Sequence, residues 1–301
     1  MNKNRMISVI IPCYNCESTI ERAVQSVFNQ SYSNWELILV DNNSTDSSYS
    51  KLLAISEIFP DKIKILTESK KGACAARNKG LYQAKGDWLQ FLDADDELLS
   101  HKFEYSINKI EIHPEITVMV GEAEVMNPNG NKIRKVDEDL WLGLINSRLG
   151  ITSANLFEKS AVKKIGGWDE TKTSSQEYNL MFSLLRDNNK VYISKEILAT
   201  IHYDNSQSVS RDKNPDRILS IVDNSIQLRL GIYNYLKEKK ILNSQYNNAV
   251  SKSIRNNLIY FLPYSKKNII IRILKLIDRL TLRDIFIILY MLPSSLTKNK
   301  R

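Results

Sequence analysis

The sequence has 301 residues, 43% of them hydrophobic and 25% charged, with 42 Lys and Arg against 34 Asp and Glu and a formal net charge of +8. A chain of this length and apolar content buries a full core, which excludes a disordered tail, a coiled coil and a disulfide-stapled mini-domain. The positive excess is local: residues 251–301 carry 11 Lys and Arg against only Asp278 and Asp284, so the rest of the chain is close to neutral.

Ile7–Ile11 is a β-branched run closed by Pro12 and reads as a buried strand. Ser18-Thr19-Ile20-Glu21 has the form of a capping box, and Ile20, Ala23, Val24, Val27 and Phe28 share the helical face behind it. Glu36–Val40 is a second strand, ending at Asp41 and the turn-rich Asn42-Asn43-Ser44-Thr45-Asp46. A polar helix leads to Pro60, and Lys62–Leu66 makes a third strand. Gly72 opens a helix with Gly86 as its stop, and Trp88–Leu92 is a fourth strand ending at Asp93-Ala94-Asp95-Asp96. Alternation of strand and helix at this pace demands an α/β fold with a largely parallel sheet and helices on both faces. Further on, Ile116–Val125 and Ile151–Phe157 read as strands, Asn127-Pro128-Asn129-Gly130 as a turn, Glu177–Leu185 as a helix and Val191–Thr200 as extended chain. From Arg217 the pattern is helical, after a polar, loop-like Asp204–Asp216.

Three cysteines, Cys13, Cys16 and Cys74, argue against a secreted disulfide framework. Cys13 and Cys16 have the C-x-x-C spacing, but the next helix begins beyond both sulfurs, so redox work is not expected. The first residues are polar and basic and no stretch of 18 apolar residues occurs, so the expectation is a cytoplasmic protein without a spanning helix.

Ligands of open parallel sheets bind beyond the carboxyl ends of the strands. Three such ends carry concentrated polar chemistry here: Pro12-Cys13-Tyr14-Asn15, Asp41–Asp46 and Asp93–Asp96. Carboxylates this close repel one another unless a cation or donor groups compensate them. Asp93 and Asp95 offer hard oxygens suited to Mg2+ or Mn2+ shared with a substrate phosphate. Neither a G-x-x-x-x-G-K-[ST] loop nor a G-x-G-x-x-G turn is present, so neither phosphate-loop NTPase nor dinucleotide chemistry is supported.

These segments, with Gly72-Ala73-Cys74-Ala75-Ala76-Arg77-Asn78-Lys79-Gly80, resemble the family 2 glycosyltransferases, inverting enzymes of GT-A fold. The resemblance covers residues 6–210 and implies the site. Pro12, Tyr14 and Glu17 match the loop that receives the nucleotide base, and Asp41 the carboxylate that hydrogen-bonds uracil. Arg77 matches the arginine near the nucleotide, Asp93 faces the ribose or donor sugar, and Asp95 binds the metal. Asp96 is read as a helix N-cap rather than a ligand.

Direct displacement needs a base for the acceptor hydroxyl. Gly166-Gly167-Trp168-Asp169-Glu170 and Ser175-Gln176-Glu177-Tyr178 are similar to the family's acceptor-side segment. There an acidic pair commonly opens a helix; here Gln176 replaces its first member, leaving Glu177 as the base. Trp168 is expected beneath the acceptor sugar or else in the core. His202 falls where the family places a basic or metal-contacting residue, although a structural role is the commoner one for a lone histidine. The family's arginine-rich stretch is absent, since residues 203–210 hold no arginine.

The expected organisation is a glycosyltransferase domain over 1–210, with a nucleotide-binding half to about 100, and a helical basic extension over 211–301. In the extension, Arg272, Lys275, Arg279 and Arg283 recur at helical spacing among aliphatic residues. Such a segment suits an anionic membrane surface or, equally, a helix pair packed on the catalytic domain or on a twin subunit; nucleic acid is not expected. The activity implied is transfer from a nucleotide-sugar, UDP-sugar favoured, to a glycan or lipid-linked acceptor, with Mg2+ or Mn2+. The rivals are a nucleotidyltransferase, which would need a Gly-rich loop after the first strand, and a non-catalytic binding scaffold on the same fold.

Overall fold

The computed structural model describes residues 5–128, 130–202, 214–261 and 287. The chain divides into two compact units: Met1–Glu138 with Arg148–Thr171 and Asn179–Asp204, and Asp139–Ser147 with Lys172–Tyr178 and Asn205–Arg301. The expected boundary after residue 210, the 203–210 segment and the basic helix over 269–292 lie outside the described residues, Ile287 excepted.

The first unit is built on one sheet. Strand β1 (Ile7–Cys13) pairs in parallel with β2 (Trp35–Asp41) on one side and β4 (Trp88–Phe91) on the other, and β2 pairs in parallel with β3 (Ile63–Thr67). The four strands thus run 3-2-1-4, and every residue of β2 and β4 is buried. Continuous apolar runs of Ile, Val and Leu are what a strand covered on both faces requires. Ile7, Val9 and Ile11 with Leu37 and Leu39 join one cluster with Ile20, Ala23, Val24 and Val27 of α1 (Ile20–Phe28). Each such buried aliphatic side chain contributes about 1.5–3 kcal/mol. On the opposite face α3 (Ala73–Gln83) lies so close to β1 that a Cβ on Gly80 would stand 2.4 Å from Ile10 Cγ2. α2 (Ser48–Ile58) connects β2 to β3.

Beyond β4 the sheet turns mixed. β8 (Leu156–Glu158) is antiparallel to both β4 and β6 (Val118–Met126). β6 pairs in parallel with the long β9 (Val191–His202), with register shifts around Val120 and Glu122, and antiparallel with β7 (Lys132–Arg134). β5 (Glu97–Leu98) closes the order against β9. The helices of this half are α4 (Lys102–Ile112), α6 (Lys159–Lys164) and most of α7 (Gln176–Arg186).

The second unit holds α5 (Leu140–Ile145), α8 (Pro215–Glu238) and α9 (Ser244–Phe261). Arg229 of α8 is its centre: 4% exposed, it donates to Ile145 O, Ser147 Oγ, Ser225 O and Oγ, and Ser253 Oγ. Burial lowers its guanidinium to about 10, with Tyr178 and Glu177 acting in the opposite sense. Among the described residues no helix is long and apolar enough to cross a membrane.

Three expectations change. Ser18 does not cap α1: the N-cap is Thr19, without a side-chain bond, and the backbone turn Ile20 N–H to Cys16 O serves instead. Glu21, the other half of the expected box, pairs with Lys51. Gly86 is not the stop of α3, which ends at Gln83; a Cβ there would meet Met6 O at 2.6 Å, so that glycine serves a close backbone approach. Finally, of the strand expected over 151–157 only its end is extended, because Ala154 and Asn155 N–H fold back onto Ile151 O.

Candidate active site

The carboxyl ends of β1, β2 and β4 carry the three polar loops, tied together by side chains. Asn15, at φ +46°, accepts from Thr45 N–H through Oδ1 at 2.8 Å. Glu17 Oε2 accepts from Ser47 N–H at 2.8 Å, and Glu17 N–H donates to Asp46 at 3.3 Å. Asn42 donates to Glu68 O and Lys70 O and accepts from Gly72 N–H at 2.7 Å, fixing the start of α3 against the end of β2. Asn43, at φ +64°, donates to Glu68 O and Ser69 O. These asparagines act as turn-making residues that also stitch neighbouring loops.

Inside this frame Pro12 is half-buried and Tyr14 is exposed. Asp41 is 8% exposed, and its Oδ1 is buried with no hydrogen-bond partner among the described residues. Cys13 and Cys16 are buried free thiols. Burial holds Cys13 well up, whereas Cys16 is drawn down, first by its hydrogen bond with Cys13.

The acidic loop after β4 is held from several sides. Arg77 of α3 donates to Asp93 Oδ1 at 2.6 Å; the arginine side chain is buried while Asp93 is about a third exposed. The guanidinium lies 4.5 Å over the ring of Trp168, and Phe91 meets the same ring edge-on at 5.1 Å. Trp168 is thus interior, 2% exposed, and reaches the loop through Arg77. The Gly166–Glu170 segment is pinned by Asn78, which donates to Trp168 O and Glu170 and accepts from Trp168 N–H. Arg22 of α1 donates to Asp95 O at 2.7 Å and pairs with Glu97 at 3.5 Å. Asp96 is not an N-cap, since α4 starts at Lys102 with His101 before it. Instead its carboxylate is buried and accepts from Ser153 Oγ at 2.5 Å. Burial, then the charges of Asp93 and Asp95, push Asp96 well up from the usual carboxylate range.

His202 ends β9 and bonds Glu97 Oε1 through Nε2 at 2.5 Å. Among the described residues no group of three or more His, Cys, Asp or Glu is arranged to hold a cation alone. The donors suited to one are Asp93 and Asp95, whose mutual negative charge is felt at Asp96. Two hard carboxylates fit a Mg2+ or Mn2+ whose remaining ligands are phosphate and water. Glu177 stands in the first turn of α7, on the portion of that helix belonging to the second unit.

Arg22 and Ser153, which hold the acidic loop, were not legible as doing so. Thr152-Ser153-Ala154-Asn155 did carry a signal, because three polar residues in a supposed strand are turn composition. Arg22 carried none, being one charge on the outward side of an amphipathic helix.

The sheet thus joins a parallel 3-2-1-4 half to a mixed half, with acidic chemistry at the end of β4. The family model described as glycosyl transferase family 2 matches residues 8–165, and the chain belongs to that family. Among curated relatives, the UDP-Glc:alpha-D-GlcNAc-diphosphoundecaprenol beta-1,3-glucosyltransferase WfgD of Escherichia coli is 32% identical over 219 residues, covering 69% of this chain and 81% of that one. An uncharacterized glycosyltransferase of Rickettsia felis is 27% identical over 67% of this chain, which spans only 33% of that relative's length. Among solved structures, S. aureus TarS 1-349 in complex with UDP-GlcNAc superposes with a TM-score of 0.62 at 16% identity, over 88% of this chain and 82% of that one. The mannosyltransferase PcManGT from Pyrobaculum calidifontis, in complex with GDP-Man and Mn2+, gives 0.58 at 15% identity over 98% and 87%. At such identities the likeness concerns the fold.

Proposed function

We propose that the protein is a metal-dependent inverting glycosyltransferase that moves a sugar from a UDP-sugar to a glycan or lipid-linked acceptor in cell-surface polysaccharide synthesis. The observation that carries the donor reading is Asp41: a buried carboxylate oxygen at the end of β2 that has no donor among the described residues and is open to one from a ligand. An N–H of uracil is such a donor, and an unpaired buried acceptor costs about 1–3 kcal/mol until it is met. The E. coli relative's name, with UDP-Glc as donor and a diphosphoundecaprenol-linked acceptor, supports the same classes of substrate.

Tyr14, Pro12 and Glu17 border the base on this reading, and Arg77 holds Asp93 toward the donor and contributes positive charge near its phosphates. Asp95 and Asp93 are the residues that would hold Mg2+ or Mn2+; His202, the third residue the resemblance offers, is bonded to Glu97. The bound cation would supply charge stabilisation to the departing diphosphate. Glu177 takes the proton from the acceptor hydroxyl as its oxygen bonds to the anomeric carbon. The bond from that carbon to the diphosphate oxygen breaks on the opposite face, so configuration inverts. The basic residues of 251–301 would draw the enzyme to an anionic membrane surface, where a lipid-linked acceptor resides; flotation with vesicles should be lost when Arg272, Lys275, Arg279 and Arg283 are all changed to Ala.

The deciding experiment is thermal-shift binding of UDP, GDP and dTDP, with and without Mn2+, on the wild type and Asp95→Ala. A metal-dependent rise with UDP that the variant lacks is the expected result. No rise with any nucleotide would remove the donor reading altogether.

A further inference from the structure

The loop Asp93–Asp96 places three carboxylates within four residues in the conformation described above. What sets that conformation reaches it from a distant part of the chain. We infer that Ser153 is the positioning residue of this loop, its single hydroxyl binding both ends at once. Ser153 Oγ donates to Asp96 Oδ2 at 2.5 Å and accepts from the Asp93 N–H at 3.3 Å. One oxygen engaged at both ends fixes their separation, and with it the direction in which the intervening Asp95 leaves the backbone.

The serine is itself anchored. It is fully buried on the turn that Ala154 and Asn155 make onto Ile151 O. Its carbonyl accepts from Lys102 Nζ at 2.5 Å and from Gln90 Nε2 at 3.1 Å. Lys102, 0% exposed, gives a second bond to Asn155 O at 3.5 Å. Buried groups of this kind are expensive unless hydrogen-bonded, so the network is defined by its own satisfaction. From the opposite side Arg22 grips the Asp95 carbonyl at 2.7 Å. The loop is thus clamped between α1 and the 151–155 turn, and Ser153 is the jaw that touches the two flanking aspartates.

The inference rests on the reading of Asp93 and Asp95 as the residues holding the cation beside the donor diphosphate. Outer residues that orient such ligands typically change metal affinity by about 10–100-fold when lost. The test is titration calorimetry of UDP, with and without Mn2+, on full-length wild type, Ser153→Ala and Asp95→Ala. The expected result is that Ser153→Ala weakens UDP binding about tenfold in Mn2+ and leaves metal-free binding unchanged. A serine that only filled the core would lower the melting temperature without touching the gain that Mn2+ confers. If Asp95→Ala loses that gain while a folded Ser153→Ala keeps it, the positioning role is overturned and the donor reading stands. If neither variant differs from wild type, the positioning role and the reading of Asp95 as a metal ligand both fall. Should Ser153→Ala be too unstable to purify, Asp96→Ala cuts the same bond from the loop side and carries the same expectation.

Discussion

Asp41→Ala separates ligand recognition from folding. The Asp41 carboxylate is 8% exposed and its Oδ1 has no donor among the described residues. A buried acceptor left unmet costs about 1–3 kcal/mol, and the alanine variant removes that cost along with three side-chain heavy atoms at the rim of the core. The free protein should therefore melt at the wild-type temperature or a few degrees above it, at roughly 2–4 °C per kcal/mol for a domain of this size. In the complex the same carboxylate gains a hydrogen bond to a charged acceptor, about 1.5–3 kcal/mol. With tenfold per 1.4 kcal/mol, UDP should bind about 10- to 150-fold more weakly to the variant. Calorimetry gives the affinity and differential scanning fluorimetry the stability, on the same preparation. Unchanged UDP affinity, or a drop in melting temperature of more than about 5 °C without ligand, would refute the assignment of Asp41 as an acceptor kept open for the base.

Three further outcomes are expected. Glu177→Gln keeps the size of the side chain but cannot take a proton, so transfer should slow by about 10²–10⁴ with UDP affinity unchanged, measured by single-turnover transfer and calorimetry. Burial pushes Lys102 well below the ordinary lysine range. Between that lowered value and the unfolded value of about 10.4, the unfolded chain binds a proton that the folded chain lacks, so stability rises with pH across this window. Urea midpoints taken from about pH 6 to 10 should climb for wild type and stay flatter for Lys102→Met. Gly167 has φ +78°, and a Cβ there would stand 2.6 Å from Asn78 Oδ1. Gly167→Ala should cost about 1–3 kcal/mol by urea denaturation, and an unchanged midpoint would show that the Asn78 clamp on Trp168 is slack.

The parallel half of the sheet was legible because its signals are short-range. Runs such as Leu37–Val40 are strands buried on both faces, and their length and β-branching announce it without knowledge of the partner. The resemblance then proposed roles for Asp41, Arg77, Asp93 and Asp95; of these the structure brings Arg77 onto Asp93. What was illegible depends on contacts across long sequence separations. Ile151–Phe157 has strand composition only at its end; its polar centre turns inward because Lys102 and Gln90 await the Ser153 carbonyl. The capping box at Ser18 fitted the pattern, but Cys16 O and Lys51 claimed its two halves. Asp96 read as a cap because Asp often is one, whereas three like charges within four residues made burial with a hydroxyl partner the better solution.

The order 3-2-1-4 also bears on how the chain is made. All three of its parallel pairings are complete once Phe91 has left the ribosome, since none uses a residue beyond it. The free side of β4 then waits for Leu156–Glu158, which are synthesised much later. Through that interval the nascent protein presents an apolar, unpaired strand margin made of Trp88, Leu89 and Phe91, the kind of surface on which incomplete chains stick to one another. Slow translation between Phe91 and Glu158 would prolong that exposure, and a holding chaperone bound to this margin would shield it until β8 arrives.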